Sequence, residues 1–394
     1  MPNQPPAPLD HRMVWIYPDN LLKKLNATPT LEITRGLRQL GWQVDLLMGG
    51  LDGPREIQGV EVTGISRPNT FIIKHFFYHV RALKYVLDRW NKTSVVFFQT
   101  ISTLWIILLR LVGLLKQGKS PLFVMDIRTM QMEKRALKDK LRGQFALMMG
   151  ALANQFADGQ TTITRRMAEA LRVPKKKLWG TWPSGVDVDV FSPAIESREW
   201  PQNTDPIQLV YIGTLAPGRD LMPLCHAVEK ANQEGMCFEL SLVGDGEDCE
   251  NLAAFAAHTA GKVRLLGRLP HDQMSAILAN MHIGALPFPD RQEFRVSSPI
   301  KLFEYMAAGM PIFATRISCH TDVIGDCSCV FWAENSTVES LTAALRDVWN
   351  DRQSLASRGI LAAKLAQDYT WAASAKKLAD ALEYGLTING RGRS

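Results

Sequence analysis

The segment Val296–Pro311 reads V-S-S-P-I-K-L-F-E-Y-M-A-A-G-M-P and carries the start, the body and the stop of one short helix. Ser298 is a good N-cap, Pro299 fits the first helical position where a missing N–H costs nothing, and Gly309 followed by Pro311 supplies the stop. The free amides of the first turn, the hydroxyls of Ser297 and Ser298 and the ammonium of Lys301 would converge on one negative group, and a phosphate fits best. Glu304 stands three residues beyond Lys301 on the same face, where a carboxylate would accept hydrogen bonds from sugar hydroxyls. The plainer alternative is an amphipathic helix that buries Leu302, Phe303, Met306 and Ala307 and leaves Lys301 and Glu304 as a solvated pair.

On either side of this helix the chain alternates short apolar runs with helical periodicity. Met13–Tyr17, Val44–Met48, Ser94–Phe98 and Leu122–Met125 read as buried strands in the first half, with helices near Pro29–Leu40, Ile72–Trp90 and Ile101–Leu115. Val60–Ile65 alternates and reads as an edge strand. In the second half the strands are Leu209–Ile212, Phe238–Val243, Val263–Leu266, Ile283–Pro287, Pro311–Thr315 and Ser328–Trp332, followed by a helical last third. This is the pattern of parallel α/β units.

The turns after the second-half strands carry the chemistry. Gly213-Thr214-Leu215-Ala216-Pro217-Gly218-Arg219 combines small residues with a cation, which lets a phosphate approach the backbone. Gly244-Asp245-Gly246 and Gly267-Arg268-Leu269-Pro270 repeat the turn. In the first half, Leu122–Met125 ends in Asp126-Ile127-Arg128, charged residues at the strand tip where open α/β sheets bind ligands. The loop Asp19–Asn26 carries Lys23 and Lys24 but no glycine fingerprint, so a nicotinamide cofactor is not expected. His75 and His79 share a face, but no third ligand is near, and packing histidines are the reading.

The 394 residues suit two domains. Charge is unevenly divided: residues 1–200 hold 28 Lys and Arg against 17 Asp and Glu, while residues 201–394 hold 17 against 22. The basic half would draw toward an anionic membrane surface or substrate. All six cysteines lie in the second half without metal-ligand spacing, as expected of reduced thiols in a cytosolic protein. Met13–Tyr17 is too short for a signal peptide's apolar core, and Ile101–Leu115 contains Arg110 and is short for a membrane span.

Taken with Trp182–Pro193, W-P-S-G-V-D-V-D-V-F-S-P, and the run Tyr211–Arg219, the Val296–Pro311 helix resembles the nucleotide-sugar-binding elements of glycosyltransferase family 4. The resemblance spans about residues 13–386. It implies an α/β protein of two doubly wound Rossmann-like domains facing across a cleft, the GT-B fold. The domains would be an N-terminal acceptor domain at 13–193, a polar linker at 194–206, a nucleotide-sugar domain at 207–368 and a helix at 369–388 that crosses back. It implies a retaining, metal-independent hexosyltransferase of cell-envelope glycan or glycolipid synthesis. No cofactor and no nucleic acid is expected, and the acceptor would be anionic, saccharide or lipid-linked. The enzyme would be cytoplasmic or peripheral on the inner membrane face.

By the same resemblance, Gly213, Thr214, Arg219, Gly244, Asp245, Arg268, Leu269, Ser297, Ser298, Lys301 and Glu304 would hold the donor. Asp126, Arg128, Arg219 and Lys301 are the catalytic candidates, with Asp126 at the place where the family usually has a histidine. Three departures stand out. Thr214 replaces a usual arginine and Arg219 a usual lysine, while Val296 occupies the place of the first glutamate of the family's pair, with Glu293 off register. Asp187 and Asp189 form a D-x-D that reads as turn and helix-capping chemistry rather than a metal site. Two other classes share the features: a nucleotide-sugar epimerase of the same fold and a non-catalytic nucleotide-sugar-binding module.

Overall fold

The apolar runs become neighbouring parallel strands because their side chains are covered on both faces. The computed structural model describes residues 11–20, 27–68, 70–130, 137–202, 204–270 and 273–390. The chain divides into two compact units, one of Met1–Pro183 with Trp371–Ser394 and one of Ser184–Thr370.

The first unit holds β1 (Arg12–Tyr17), β2 (Gln43–Gly49), β3 (Gly53–Ile57), β4 (Val60–Ile65), β5 (Val95–Gln99), β6 (Leu122–Ile127), β7 (Gly159–Thr162) and β8 (Leu178–Thr181). Their order is β3-β4-β2-β1-β5-β6-β7-β8. Every pairing is parallel except β3 with β4. The expectation that Val60–Ile65 is the edge is therefore corrected: β4 pairs with β2 on one side and β3 on the other. The hairpin turns on Gln58 and Gly59, both at positive φ (48° and 75°), as a two-residue turn between twisted strands requires. The edge strand, G-P-R-E-I, hides behind a charged sequence.

Helix Trp371–Ile388 closes the first unit through small residues. A Cβ on Gly36 or on Gly180 would press on Ala375 or Ala381 of this helix, and one on Gly385 would enter the Trp179 ring. The sequence is basic after β6, with Lys134, Arg135, Lys138, Lys140 and Arg142 reading as one face of the next helix; that stretch lies partly outside the described residues, as Lys23 and Lys24 do entirely, and the helix is described from Leu137 to Phe156. His79 is buried, its Nδ1 2.7 Å from His75 O and its Nε2 2.9 Å from Ser102 Oγ, and it stacks on Trp105.

The second unit contains β9 (Ile207–Ile212), β10 (Phe238–Val243), β11 (Val263–Gly267), β12 (Ile283–Leu286), β13 (Ile312–Thr315) and β14 (Val330–Ala333). They run parallel in the order β11-β10-β9-β12-β13-β14. The sheet reverses direction of winding between β9 and β12, so the crevice at the carboxyl ends of these two strands is where a ligand binds in such a sheet. The chain enters and leaves this unit side by side, with Val186 N donating to Tyr369 O at 2.9 Å and Val186 bridging Thr370.

Within the segment expected as a polar linker, 194–206, Pro193–Ser197 is helical and Arg198 is only 6% exposed. Its guanidinium donates to the carbonyls of Leu278, Met281, Ala308 and Gly309, at 2.6 to 2.9 Å. Those carbonyls end two helices, Met274–Ala279 and Ile300–Ala307, and one planar fork with five donors satisfies both ends.

Candidate functional site

The switch-point crevice is built from backbone outward. Gly213 and Gly244, at φ 135° and 144°, adopt conformations that side chains rarely allow. Gly213 N donates to Val243 O and Gly244 N to Gly267 O, both at 2.8 Å, which ties the turns after β9, β10 and β11 into one rim. A Cβ at Gly213 would lie 2.9 Å from Lys301 Nζ and 3.0 Å from Cε, so the glycine makes room for the lysine.

Lys301 and Arg219 meet above an aromatic floor. Lys301 Nζ stands 5.3 Å from the Tyr211 ring centre and 5.4 Å from that of Phe288. The Arg219 guanidinium lies 5.2 Å from Phe288 and 5.7 Å from Phe294. Such contacts hold cations without neutralising them. Arg219 Nε is buried and has no hydrogen-bond partner. Burial, and then the charge of Arg219, bring Lys301 down to about 7, against the pull of Glu304 and Cys319. Two half-buried cations over one aromatic ring, one with an unused donor, form an arrangement that an anion with several oxygens would satisfy.

The helix behind Lys301 differs from its sequence reading in one detail. It runs Ile300–Ala307, and Pro299, with ψ 113°, is the N-cap residue in place of Ser298. Ser298 Oγ instead accepts from Ser184 N at 3.0 Å, while Ser184 Oγ donates to Ser298 O at 2.9 Å. Ser297 Oγ donates to Phe294 O at 2.8 Å. The two hydroxyls thus tie down the loop that enters the helix, and within its first turn Leu302 N donates to Pro299 O at 3.1 Å. The stop is as read: Gly309 at φ 65°, with Gly309 N donating to Met306 O and Met310 N to Tyr305 O, is the left-handed glycine cap.

The remaining rim residues arrive on the same edge. Thr214 is exposed, and its carbonyl accepts from Tyr211 Oη at 3.1 Å. Asp245 is exposed but turns its Oδ1 onto Gly246 N at 2.8 Å. Arg268 is exposed and Leu269 half-buried, directly after Gly267. Glu304 is half-buried, one turn beyond Lys301. Asp187 Oδ1 accepts from Asp189 N at 3.1 Å and caps helix Val188–Phe191, a turn role for that D-x-D.

In the first unit, Asp126 lies inside β6 rather than beyond its end, and it is 2% exposed. Its Oδ1 accepts from Thr161 Oγ1 at 2.7 Å and Trp182 Nε1 at 2.9 Å, and its Oδ2 has no partner. Burial raises this carboxyl to about 6, opposed by Arg128. Arg128 stacks 3.4 Å from the Trp182 ring centre and donates to Trp182 O. Burial lowers it to about 10. The carboxylate and the guanidinium both grip Trp182.

Sequence reasoning passed over Tyr211, Phe288, Phe294 and Tyr305, because apolar residues beside a strand end look like core. Tyr305 Oη accepts from Ile212 N at 2.8 Å and so pins the helix to the end of β9. Arg198 gave a weak signal as an isolated cation in a Pro-rich segment.

Two doubly wound units of mostly parallel sheet are the fold called GT-B. Residues 206–351 match the family described as Glycosyl transferases group 1. Over 96% of the chain and 98% of its partner, the fold superposes on sucrose-phosphate synthase from Thermosynechococcus elongatus with TM-score 0.73 at 14% identity. The lipopolysaccharide outer core galactosyltransferase WaaB is similar at TM-score 0.68 and 12% identity, covering 94% and 99%. Anabaena Alr3699/HepE, determined with UDP-glucose, is similar at TM-score 0.67 and 13% identity, covering 96% and 99%. Among curated protein sequences none matches this chain.

The state of Lys301 gives a pH prediction. Its folded value near 7 lies below the ordinary lysine value of 10.5, so the unfolded chain binds more protons between those values, and the lysine's contribution to stability improves as pH rises through that window. An anion in the crevice reverses the preference and restores the ammonium. Binding of a phosphate-bearing anion at pH 8.5 should therefore take up about one proton, read by calorimetry in buffers of different ionisation heat. The Lys301→Arg variant should take up none.

Proposed function

We propose that this chain moves a hexosyl group from a nucleotide-diphosphate sugar to a lipid-linked or saccharide acceptor. The proposal includes retention of anomeric configuration, independence of a metal ion and a place in cell-envelope glycan or glycolipid synthesis. The observation that carries it is the convergence of Arg219 and Lys301 on one aromatic ring, Phe288, at 5.2 and 5.4 Å from its centre beside the switch point.

Cleavage of the sugar–phosphate bond leaves negative charge on the departing diphosphate. Arg219, Lys301 and the first-turn amides of Ile300–Ala307 stand ready for that charge before it develops, which lowers the barrier without reorganisation. Gly213, Thr214 and Gly244 let the diphosphate approach the backbone, while Arg268 and Leu269 border the base. Asp245 belongs to the same rim, and Ser297 and Ser298 hold the loop that enters the helix. Glu304 binds the ribose hydroxyls. Asp126 and Arg128 are the first unit's contribution, and their grip on Trp182 supports a positioning role there. The basic, first half of the chain suits an anionic acceptor.

The test is a thermal-shift panel of UDP, GDP and ADP, followed by donor turnover with sugar variants of the winning nucleotide in EDTA. A ligand that binds only the folded protein raises its melting temperature. Alr3699/HepE makes UDP the first choice. Stabilisation by one nucleotide and EDTA-resistant transfer support the proposal, whereas recovery of activity only with manganese would overturn metal independence. Glu304→Ala should weaken nucleotide binding about tenfold to a hundredfold. Unchanged calorimetric affinity would remove Glu304 from the site. Epimerisation of the donor's sugar without transfer to an acceptor would identify an epimerase instead.

A further inference from the structure

In most soluble proteins exposed apolar side chains are scattered. Here, 15 of the 22 large ones among the described residues fall between Ile73 and Phe156. On helix Phe71–Asp88, Ile73, Phe76, Phe77 and Val80 keep the spacing of one helical face, and that face is turned to solvent. On helix Thr103–Gly113 and the turn after it, Leu104, Leu108, Leu111 and Leu115 do the same. Both helices already bury an opposite apolar face, including Tyr78 and Val86 in one and Ile106 and Leu109 in the other. Core packing does not explain the second stripe.

The first two helices meet where Phe76 and Trp105 stand 5.6 Å apart between ring centres; helix Leu137–Phe156, to whose Phe156 O Arg110 Nη1 donates at 2.8 Å, adds the exposed Phe145, Leu147 and Met148. The outermost point is Leu114-Leu115, 77% and 87% exposed, followed by the exposed Lys116 and Lys119. From 71 to 156 the sequence has 14 Lys and Arg against 4 Asp and Glu, and among the described side chains Arg81, Lys84, Lys92, Lys116 and Lys119 are exposed. Exposed apolar side chains on elements that also carry exposed cations fit the interface of an anionic bilayer, where the chains meet lipid and the cations meet headgroups. A two-fold pairing of copies would bring the same excess of positive charge against itself. No helix among the described residues is long and apolar enough to cross a membrane.

We infer that the three helices Phe71–Asp88, Thr103–Gly113 and Leu137–Phe156 form a docking face that lies on an anionic lipid bilayer, with Leu114-Leu115 inserted first. This deepens the reading of an acceptor at a membrane surface, on which its purpose rests, while docking is measured without donor or acceptor. The full-length protein should float with vesicles of equal parts phosphatidylglycerol and phosphatidylcholine, and far less with phosphatidylcholine alone. The variant Leu108→Glu, Leu111→Glu, Leu115→Glu should bind at least about tenfold more weakly. Lys116→Glu with Lys119→Glu, in an exposed turn, should reduce binding and its salt sensitivity together. Failure of the wild type to float, or flotation of the triple variant like wild type, overturns the inference. So does a stable dimer in ultracentrifugation that the triple variant splits, since a second copy then owns the face. Vesicle binding without nucleotide stabilisation sustains the face and counts against the donor site alone.

Discussion

Replacing Arg219 and Lys301 together by alanine is expected to lower transfer by about four orders of magnitude or more and to leave the second unit folded. The size follows from the loss of both fixed positive charges at the leaving group, where one hydrogen-bond donor alone is worth about a hundredfold to a thousandfold. The folding half of the expectation follows from repulsion. Lys301 is held down to about 7 by burial and by Arg219, so the unliganded protein gives up an unfavourable contact when either cation is removed. Urea unfolding of the unliganded double variant should show stability equal to wild type or above it near pH 7, with nucleotide stabilisation lost. Retained transfer in a folded double variant would defeat the leaving-group assignment. A sharp loss of stability would show that the two cations serve the fold instead. Each single variant should lose less than the double variant, because one fixed cation still faces the leaving group.

The succession of strands was legible because most of the parallel strands are largely apolar runs, and V-W-I-Y, V-V-F-F and L-F-V-M have few other readings. What escaped was whatever broke that rule. The edge strand Gly53–Ile57 carries Pro54, Arg55 and Glu56, since an edge needs charge more than cover. Leu178–Thr181 contains Gly180, required by Ala381 of a helix two hundred residues later, and no local window reveals such a neighbour. In the candidate site, the charged residues and glycines announced themselves, whereas Tyr211, Phe288 and Tyr305 did not. Their chemistry depends on which strand end they flank, and that is a property of the sheet order. Ser298 misled for a related reason: a hydroxyl before a proline is a good cap by local rules, but Ser184, more than a hundred residues away, claims it.

Arg198 shows how a distant element sets the geometry of the cation pair. Its guanidinium holds the last carbonyls of helix Ile300–Ala307, so the helix that presents Lys301 at one end is clamped at the other. Burial lowers Arg198 to about 10, still well above neutral pH, so the clamp is charged in use. Truncation to alanine leaves four carbonyls in two helix ends without their donor, and the second unit should lose roughly 3–5 kcal/mol of stability in urea unfolding. Lysine offers three donors from one point and cannot span both helix ends, so Arg198→Lys should recover less than half of that loss. Because α-helices are stiff along their length, the lysine variant should also bind nucleotide more weakly than wild type at a denaturant-free temperature where both are folded. A stable Arg198→Ala protein would mean that water replaces the clamp, and normal nucleotide affinity in Arg198→Lys would separate the position of Lys301 from the far end of its helix.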